Sequence, residues 1–220
     1  MKCGVIIVGA GQGTRLGYDL PKAFIPLGSK PLFQHSLDAF LAHSSFQEIV
    51  LVLPEKKCDL PKNDRVKIVA GGATRQDSVQ AGLKALGVDC DTVFVHDAAR
   101  PFVTKEILDR LLSAASESKN CIAAIPVTDT VKQTKSHKII QTIDRSQLWL
   151  AQTPQVFSRS VLEEAFSKAQ KEGWEGTDEA SLVEKLGIPV HIVPGDARNI
   201  KITTPQDLQL AQVLLHTNEP

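Results

Sequence analysis

Residues 3–17 read Cys3-Gly4-Val5-Ile6-Ile7-Val8-Gly9-Ala10-Gly11-Gln12-Gly13-Thr14-Arg15-Leu16-Gly17, an apolar, β-branched run that passes directly into a glycine-rich loop. A run that is apolar on both faces is typical of a strand in a parallel sheet with helices on each side. Glycines at the carboxyl end of such a strand let backbone N–H groups approach a phosphate chain closely. The stretch therefore predicts the first strand of an α/β fold, followed by an anion-binding loop.

Short apolar runs alternate with segments of helical period along most of the chain. Beyond Val5–Val8, the predicted strands are Ile49–Leu53, Val66–Val69, Thr92–His96, Cys121–Ile125 and Val190–Val193. The predicted helices contain Leu32–Leu41, Val79–Leu86 and Ile107–Leu112, and two more start near Thr177 and Thr204. This order predicts a single α/β domain over residues 1–220, Rossmann-like and doubly wound around a mostly parallel sheet.

Residues 127–147 break the alternation. They are polar, rich in threonine and roughly alternating, with a turn at Lys135–Lys138 between two limbs. The pattern predicts a β-hairpin arm that protrudes from the main sheet. Because an isolated two-stranded hairpin is marginal in water, we expect the arm to pack on a second subunit and to form a homodimer.

Composition excludes several classes of function. The chain has 25 Lys and Arg against 25 Asp and Glu, so its formal net charge is zero, which argues against nucleic-acid binding through bulk electrostatics. No apolar stretch approaches the ~20 residues of a membrane span, and only Lys2 precedes the first strand, so neither a membrane anchor nor a signal peptide is expected. Four scattered cysteines, with Cys3 and Cys121 in apolar runs, favour a reducing compartment and a cytoplasmic protein.

The glycine-rich loop differs from two common phosphate-binding motifs. The Walker A pattern is absent, and the dinucleotide pattern Gly-x-Gly-x-x-Gly fails because Thr14 or Leu16 occupies the third glycine position. Instead, Arg15 lies within the loop and Pro21-Lys22 follows seven residues later. The prolyl residue disfavours a helix directly after the glycines, so we expect a long loop with a cation at each end, which suits a triphosphate.

Several motifs in this order resemble one family. They are Gly9-x-Gly11-x-Gly13-x-Arg15-Leu16-Gly17 with Pro21-Lys22, Gly71-Gly72-x-x-Arg75-Gln76-x-Ser78-Val79, His96-Asp97-Ala98-Ala99-Arg100-Pro101, Thr153-Pro154-Gln155, Thr177-Asp178-Glu179-Ala180-Ser181 and Asn199-Ile200-Lys201. The first resembles the signature of sugar nucleotidyltransferases, and together they resemble the 2-C-methyl-D-erythritol 4-phosphate cytidylyltransferase family. The sequence departs from the family at Val8-Gly9-Ala10-Gly11, where Pro-Ala-Ala-Gly is usual; this change bears on how the base is held and removes no charge.

The resemblance implies that CTP is a substrate and that Mg²⁺ is held mainly through its phosphates, without a dedicated set of protein ligands. It implies CTP contacts from Gly9, Ala10, Gly11, Gly13, Gly71, Gly72, Ser78 and Asp97. It implies catalytic roles for Arg15, Lys22, Arg145 and Lys201, and sugar-phosphate contacts from Arg100, Thr130, Arg145, Thr153, Thr177 and Lys201. In this family the arm residues act across a dimer interface; whether Thr130 and Arg145 serve their own subunit or its neighbour stays open.

Other interpretations remain possible at this point. A ribitol-5-phosphate cytidylyltransferase would share the fold and most of these motifs. An NAD(P)-dependent oxidoreductase would use the same glycine loop, with Glu55 as its ribose carboxylate, and a nucleotide-binding regulator would bind CTP without turnover. Locally, His96 also fits a buried structural histidine, and Thr177 also fits a helix N-cap.

Overall fold

The computed structural model describes residues 1–13, 16–18, 20–54, 62–118 and 120–217. Its strands are β1 (Cys3–Val8), β2 (Pro26–Leu27), β3 (Lys30–Pro31), β4 (Phe46–Leu53), β5 (Val66–Ala70), β6 (Thr92–Asp97), β7 (Cys121–Pro126), β8 (Val131–Lys135), β9 (Lys138–Ile143), β10 (Trp149–Ser158) and β11 (His191–Pro194). Its helices are α1 (Leu32–Ala42), α2 (Arg75–Ala85), α3 (Lys105–Ser118), α4 (Arg159–Glu172), α5 (Glu179–Lys185) and α6 (Pro205–Thr217). The main sheet has seven strands in the order β11-β7-β10-β6-β1-β4-β5.

Helices cover both faces of the main sheet, as the doubly wound prediction requires. Successive residues of β1 point to opposite faces, so Val5 and Ile7 enter one core while Ile6 enters the other. Helices α1 and α3 pack on the first face, and α2, α4 and α5 pack on the second. The buried cysteines Cys3 and Cys121 fill the first core as small apolar residues, and burial raises the pKa of the Cys121 thiol to about 12.

Each predicted strand is confirmed to within a few residues, but the sequence analysis missed β10 and α4. Strand β10 lies between β6 and β7 and is antiparallel to both, so the sheet is mixed. Its pairing with β7 is interrupted between Ala151 and Gln155, where a prolyl residue interrupts the run. Proline and glutamine lower the apolar signal of a strand, which is why this stretch did not resemble the others.

The predicted β-hairpin is confirmed as a separate two-stranded sheet of β8 and β9. Ser136 and His137 form its turn with φ of 48° and 62°, and two such residues in a two-residue loop match a type I′ turn. The hairpin carries the exposed apolar side chains Ile139 and Ile140. The arm therefore presents apolar surface that its own chain leaves uncovered.

The carboxyl-terminal helix packs against β2 and against the segment that precedes the helix. Leu208 and Ala211 of α6 pack with Leu27 and the fully buried Ile202 in a third, smaller core. The Ile202 N–H donates to the Ala99 carbonyl at 2.9 Å, which fixes residues 199–203 beside the end of β6. In the described ranges, every helix is too short or too polar to cross a membrane.

Candidate active site

Chain topology creates a cleft where the strand order reverses. After β1 the chain forms β4 and β5 on one side and then returns to β6 on the other side of β1. Open α/β sheets bind ligands at such a switch point, beyond the carboxyl ends of the strands. A cleft of about 510 Å³ lies there. Nine of the sequence-predicted residues line it: Gly9, Ala10, Gly11, Gly13, Lys22, Gly72, Ser78, Asp97 and Lys201.

The glycine loop folds back on itself and brings Lys22 to its glycines. The Lys22 N–H donates to the Gly11 carbonyl at 3.2 Å, and Lys22 begins a short 3₁₀ turn after Pro21. Gly13 has a φ of +72°, and a Cβ at this position would lie 2.7 Å from the Lys22 Cβ. Glycine is therefore required at residue 13 both for its backbone conformation and for the close approach of Lys22.

A second loop, after β5, forms the opposite wall. The Gly72 N–H donates to Ser78 Oγ at 3.1 Å, and Ser78 Oγ donates to the Thr74 carbonyl at 2.9 Å. Thr74 and Asp77 form a capping box at the start of α2. Gly71 packs behind this wall, where a Cβ would lie 2.3 Å from the Ala10 Cβ. The cap, the serine and the glycines thus hold the two loops against each other.

Asp97 is the centre of an ionic cluster at the base of the cleft. Its Oδ1 accepts from Nε of Arg75 at 3.1 Å, and its Oδ2 pairs with Nζ of Lys201 at 2.6 Å. The Arg75 guanidinium also forms a bidentate pair with Glu179, with distances of 2.7 and 3.0 Å. Asp97 and Glu179 are 9% and 2% exposed at their side chains, so both carboxylates are largely shielded from water.

Charge pairing outweighs burial in setting the pKa of Asp97 and Arg75, whereas burial outweighs it at Glu179. Burial acts to raise the pKa of Asp97, but the neighbouring cations Arg75 and Lys201 outweigh it and hold that pKa well below its usual range. Burial acts to lower the pKa of Arg75, and the carboxylates of Glu179 and Asp97 reverse this and raise it. Burial raises the pKa of Glu179, against the attraction of Arg75. At neutral pH Asp97 is an anion held between two cations.

The wall of the cleft carries a local positive charge in a chain whose net charge is zero. Of its lining residues within the described ranges, Lys22, Arg75 and Lys201 are cationic and Asp97 is the one carboxylate. Converging cations in a partly enclosed cleft attract and stabilise phosphate groups more strongly than the same charges spread over a surface. The cleft thus has the electrostatics of a polyphosphate site.

Thr153 lies behind Asp97, and its hydroxyl is already engaged. The Asp97 N–H donates to Thr153 Oγ1 at 3.0 Å, and Oγ1 lies 3.2 Å from Nδ1 of His96. His96 Nε2 lies 3.1 Å from the Arg100 carbonyl, so the neutral Nε2–H tautomer satisfies both ring nitrogens. Burial lowers the pKa of His96 to about 4, which keeps it neutral. The interpretation of His96 as a satisfied, buried histidine agrees with this geometry.

The remaining sugar-phosphate candidates lie outside the lining of the cleft. Arg100 donates to the carbonyls of Asn199 and Ala151, at 2.7 and 3.3 Å. Thr177 is exposed and directly precedes Asp178, whose side chain accepts from the Ser181 N–H. Asp178 is therefore the N-cap of α5, and the interpretation of Thr177 as that cap was wrong.

The arm candidates Thr130 and Arg145 are exposed, at the base of the hairpin. Arg145 donates to the Thr128 carbonyl of its own subunit. Neither residue is among those that line the cleft of the single chain. Arg15, and Glu55 of the oxidoreductase interpretation, lie outside the described residues.

Arg75 and Glu179 are the site residues that sequence reasoning missed. Both fall within motifs quoted above, but their pairing spans 104 positions and no local pattern indicates it. The available signal was an arginine in the first turn of a helix directly after a glycine pair. A charged residue in that position, next to a predicted phosphate-binding loop, indicates an ionic partner inside the cleft.

The fold and the cleft define a nucleotidyltransferase of the α/β class. The family model for 2-C-methyl-D-erythritol 4-phosphate cytidylyltransferase matches residues 3–217. A protein of that name from Syntrophus aciditrophicus is 43% identical, over 97% of this chain and 96% of its own, and one from Bacillus velezensis is 42% identical, over 96% and 94%. The chain belongs to the 2-C-methyl-D-erythritol 4-phosphate cytidylyltransferase family.

Solved structures agree with this assignment. The crystal structure of the Thermus thermophilus protein of the same name is 38% identical, with a TM-score of 0.84, over 98% of this chain and 100% of its own. The Francisella tularensis structure is 32% identical with a TM-score of 0.85, over 97% and 99%. The family replaces the oxidoreductase interpretation, and the resemblance of the motifs is confirmed over nearly the whole chain.

Proposed function

We propose that this chain transfers the cytidylyl group of CTP to 2-C-methyl-D-erythritol 4-phosphate and releases pyrophosphate, in non-mevalonate isoprenoid precursor synthesis. The observation that carries the proposal is the convergence of the glycine loop, Lys22 and Lys201 on one cleft in a chain of this family. The cleft is large enough for a nucleotide and positively charged where the phosphates would lie.

CTP would occupy the cleft between the two glycine-containing walls. Gly9, Ala10, Gly11 and Gly13 would contact the base and the phosphates from one side, and Gly71, Gly72 and Ser78 would complete the cytidine pocket. Asp97, held at the base of the cleft, would lie near the ribose. Because backbone groups and small side chains form these walls, the ligand can approach the main chain closely.

The reaction needs cations more than it needs a base. The attacking phosphate monoester is anionic near neutral pH, so the obstacle is the repulsion between two phosphate groups. Lys22 and Lys201 line the cleft, and Arg15 precedes Lys22 by seven residues in the sequence. These charges would lower the repulsion, stabilise the negative charge that develops at the α-phosphorus and assist the departure of pyrophosphate.

Magnesium fits the donor set of the cleft. Among the described residues no cluster of three or more His, Cys, Asp or Glu side chains can hold a metal ion, and Asp97 is the carboxylate of the cleft lining. Mg²⁺ at nucleotide sites commonly takes substrate phosphates and water with one or two carboxylates. The ion would therefore be held mainly through the CTP phosphates, whose charge it neutralises.

The acceptor would bind toward Lys201 and the segments beside it. Arg100, Thr177 and the arm residues Thr130 and Arg145 are the candidates for contacts to its phosphate and hydroxyl groups. Thr153 supports this side through its hydrogen bond to the Asp97 backbone. The arm of residues 127–147 would add Thr130 and Arg145 in a homodimer, and the protein would act in the cytoplasm as a single domain.

Pyrophosphate release with Mg²⁺ and CTP tests the proposal, with 2-C-methyl-D-erythritol 4-phosphate or ribitol 5-phosphate added in turn. We expect release with the first acceptor and little with the second. Release with ribitol 5-phosphate alone would support cytidylyl transfer but contradict 2-C-methyl-D-erythritol 4-phosphate as the acceptor. A folded protein that binds CTP but releases no pyrophosphate with either acceptor would be the non-catalytic regulator.

A further inference from the structure

Arg75 joins three elements that come from distant parts of the chain. It is the first residue of α2, Glu179 is the first residue of α5, and Asp97 is the last residue of β6. The guanidinium places Nη1 and Nη2 on the two Glu179 oxygens, and Nε and Nη2 lie 3.1 and 3.0 Å from Asp97 Oδ1. Its side chain is only 27% exposed, and part of it faces the cleft.

This arrangement leaves the two oxygens of Asp97 with different partners. Oδ1 is held by Arg75, and Oδ2 is held by Lys201 at 2.6 Å. Because the carboxylate is rigid and planar, fixing Oδ1 also fixes the direction of Oδ2. The position of the Lys201 ammonium in the cleft thus depends on a contact made on the opposite side of the carboxylate.

We propose that Arg75, backed by Glu179, is a positioning residue for the transfer reaction: it orients Asp97 and, through Asp97, sets where Lys201 lies in the cleft. The proposal rests on the function proposed above for Lys201 and Asp97. It also connects the two halves of the site, because α2 starts just after the nucleotide wall and α5 just after Thr177. Neither Arg75 nor Glu179 needs to contact the reacting atoms.

Glu179 orients the guanidinium of Arg75. Arginine has five N–H donors in a fixed planar fork, and a bidentate carboxylate fixes the plane of that fork. With Nη1 and Nη2 on Glu179, the edge of the guanidinium formed by Nε and Nη2 faces Asp97 Oδ1. Glu179 is buried and does not line the cleft, so it orients Arg75 from behind without occupying space in the nucleotide site.

A purely structural ion pair and a positioning pair respond differently to an apolar replacement. Replacing both members of a buried ion pair by apolar residues of similar size is often neutral or stabilising, whereas removing one member leaves an uncompensated buried charge. The double variant Arg75→Met/Glu179→Leu is therefore expected to recover the melting temperature that each single variant loses. The double variant does not restore the contact between residue 75 and Asp97 Oδ1.

The experiment compares wild type, both single variants and the double variant. It measures melting temperature and kcat and KM for CTP and for the acceptor in the pyrophosphate-release assay. We expect the double variant to melt near wild type while kcat/KM stays lower by about 10²-fold, the effect of a misplaced catalytic group. A double variant with wild-type stability and kcat/KM within threefold of wild type overturns the proposal.

Arg75→Lys tests the positioning role of Arg75 even if the double variant is unstable. Lysine keeps the charge, but its ammonium cannot reproduce the planar fork whose nitrogens engage both oxygens of Glu179 and Oδ1 of Asp97 at once. We expect at least a tenfold lower kcat/KM in a folded protein. Wild-type kcat/KM in Arg75→Lys overturns the proposal.

Arg159→Met is the matched control, because Arg159, the first residue of α4, holds the carboxyl end of α2. Arg159 donates to the carbonyls of Leu83, Leu86 and Gly87 and pairs with Glu163, away from the cleft. We expect a lower melting temperature with kcat/KM unchanged. If Arg159→Met loses as much kcat/KM as Arg75→Lys, any loss of contacts to α2 lowers activity. That result would overturn the specific role of Arg75.

Failure of the proposed function can be told apart from failure of this inference. Wild-type protein without acceptor-dependent pyrophosphate release contradicts the function. In that case calorimetry with Mg²⁺ and CTP still tests Arg75, because Asp97 and Lys201 line the nucleotide cleft. Tenfold weaker CTP binding by Arg75→Lys supports the positioning role, and unchanged binding overturns it.

Discussion

At the scale of single residues, the main feature of the site is the arrangement of its charged side chains. Asp97 is held between Arg75 and Lys201, and Lys22 approaches from the glycine loop on the other wall. Resemblance to the family was sufficient to predict Lys22, Lys201 and Asp97. It did not reveal how Asp97 is held, because its partners come from residues far apart in sequence.

Lys22→Ala should abolish most of the activity without unfolding the protein. Removing one cation that stabilises the phosphates costs on the order of 10²–10³ in rate, and the side chain lies in the cleft rather than in a core. The measurement is kcat for pyrophosphate release, with circular dichroism to check the fold. Lys30→Ala is the control, since Lys30 is an exposed lysine that pairs with Asp38 outside the cleft; equal losses in both variants would contradict a specific role for Lys22.

His96 should make stability depend on acid pH. Burial lowers its pKa to about 4 in the folded state from an ordinary value of 6.5, although the nearby Asp97 charge opposes the shift and the Arg100 charge adds to it. Between these values the unfolded chain binds the additional proton, so stability falls as pH decreases from 6.5 to 4. The loss approaches roughly 3 kcal/mol.

His96→Gln tests this dependence. Glutamine does not titrate, so the difference in unfolding free energy between wild type and variant isolates the histidine. Chemical denaturation at pH 7, 6, 5 and 4 should show wild type losing stability more steeply than the variant. Parallel curves would contradict a buried, neutral His96.

At the scale of elements, glycine conformation determines the shape of the loops that form the site, and long-range strand pairing determines the order of the sheet. The apolar strands and amphipathic helices were predictable because each carries its own periodic pattern. Strand β10 was not, because it contains Gln152, Thr153, Pro154 and Gln155, and its place between β6 and β7 follows from long-range pairing. The side of the site that β10 contributes was therefore predictable only by resemblance.

Gly13→Ala should damage CTP binding more than folding. Alanine in the left-handed region costs about 1–2 kcal/mol, and its Cβ would lie 2.7 Å from the Lys22 Cβ and displace that lysine. Gly17→Ala is a matched control with the same φ of +72°, and no atom of the residues that the structure describes lies within 4 Å of the added Cβ. KM for CTP should rise in the first variant alone, and its stability should fall further than that of the control because the added Cβ also lies 3.0 Å from the Lys22 Cα. A similar KM in the two variants would mean that Gly13 does not position Lys22.

At the scale of the whole molecule, the arm is the feature that a single chain does not explain. Ile139 and Ile140 are 65% and 57% exposed on the hairpin, and Leu150 at its base is 55% exposed. Apolar side chains grouped on a protruding two-stranded arm are typical of a surface that another subunit covers. The alternation of polar residues predicted the hairpin, but no pattern within one chain specifies its partner.

Ile139→Lys/Ile140→Lys should weaken the proposed homodimer and favour the monomer. Two charges placed in an apolar interface lose hydration without gaining a partner, so association weakens. Sedimentation velocity of wild type and variant measures the change. Wild-type protein that sediments as a monomer at micromolar concentration would contradict the arm-mediated homodimer.

Mixing Lys22→Ala with Arg145→Ala should restore part of the activity if the arm completes the partner's cleft. Each heterodimer would then contain one site with both residues intact, so mixtures approach a quarter of wild-type activity when the subunits exchange freely. The measurement is pyrophosphate release after confirmed subunit exchange. Mixtures as inactive as the separate variants would place Arg145 in its own subunit's site or outside it.

The most direct test of the central claim is ³¹P NMR of a reaction containing the protein, Mg²⁺, CTP and 2-C-methyl-D-erythritol 4-phosphate. Attack of the acceptor phosphate on the α-phosphorus predicts loss of the monoester signal, two coupled diphosphate signals from the new P–O–P linkage, and free pyrophosphate in equal amount. Formation of CMP and pyrophosphate with the monoester signal unchanged would show hydrolysis in place of transfer and would contradict the account.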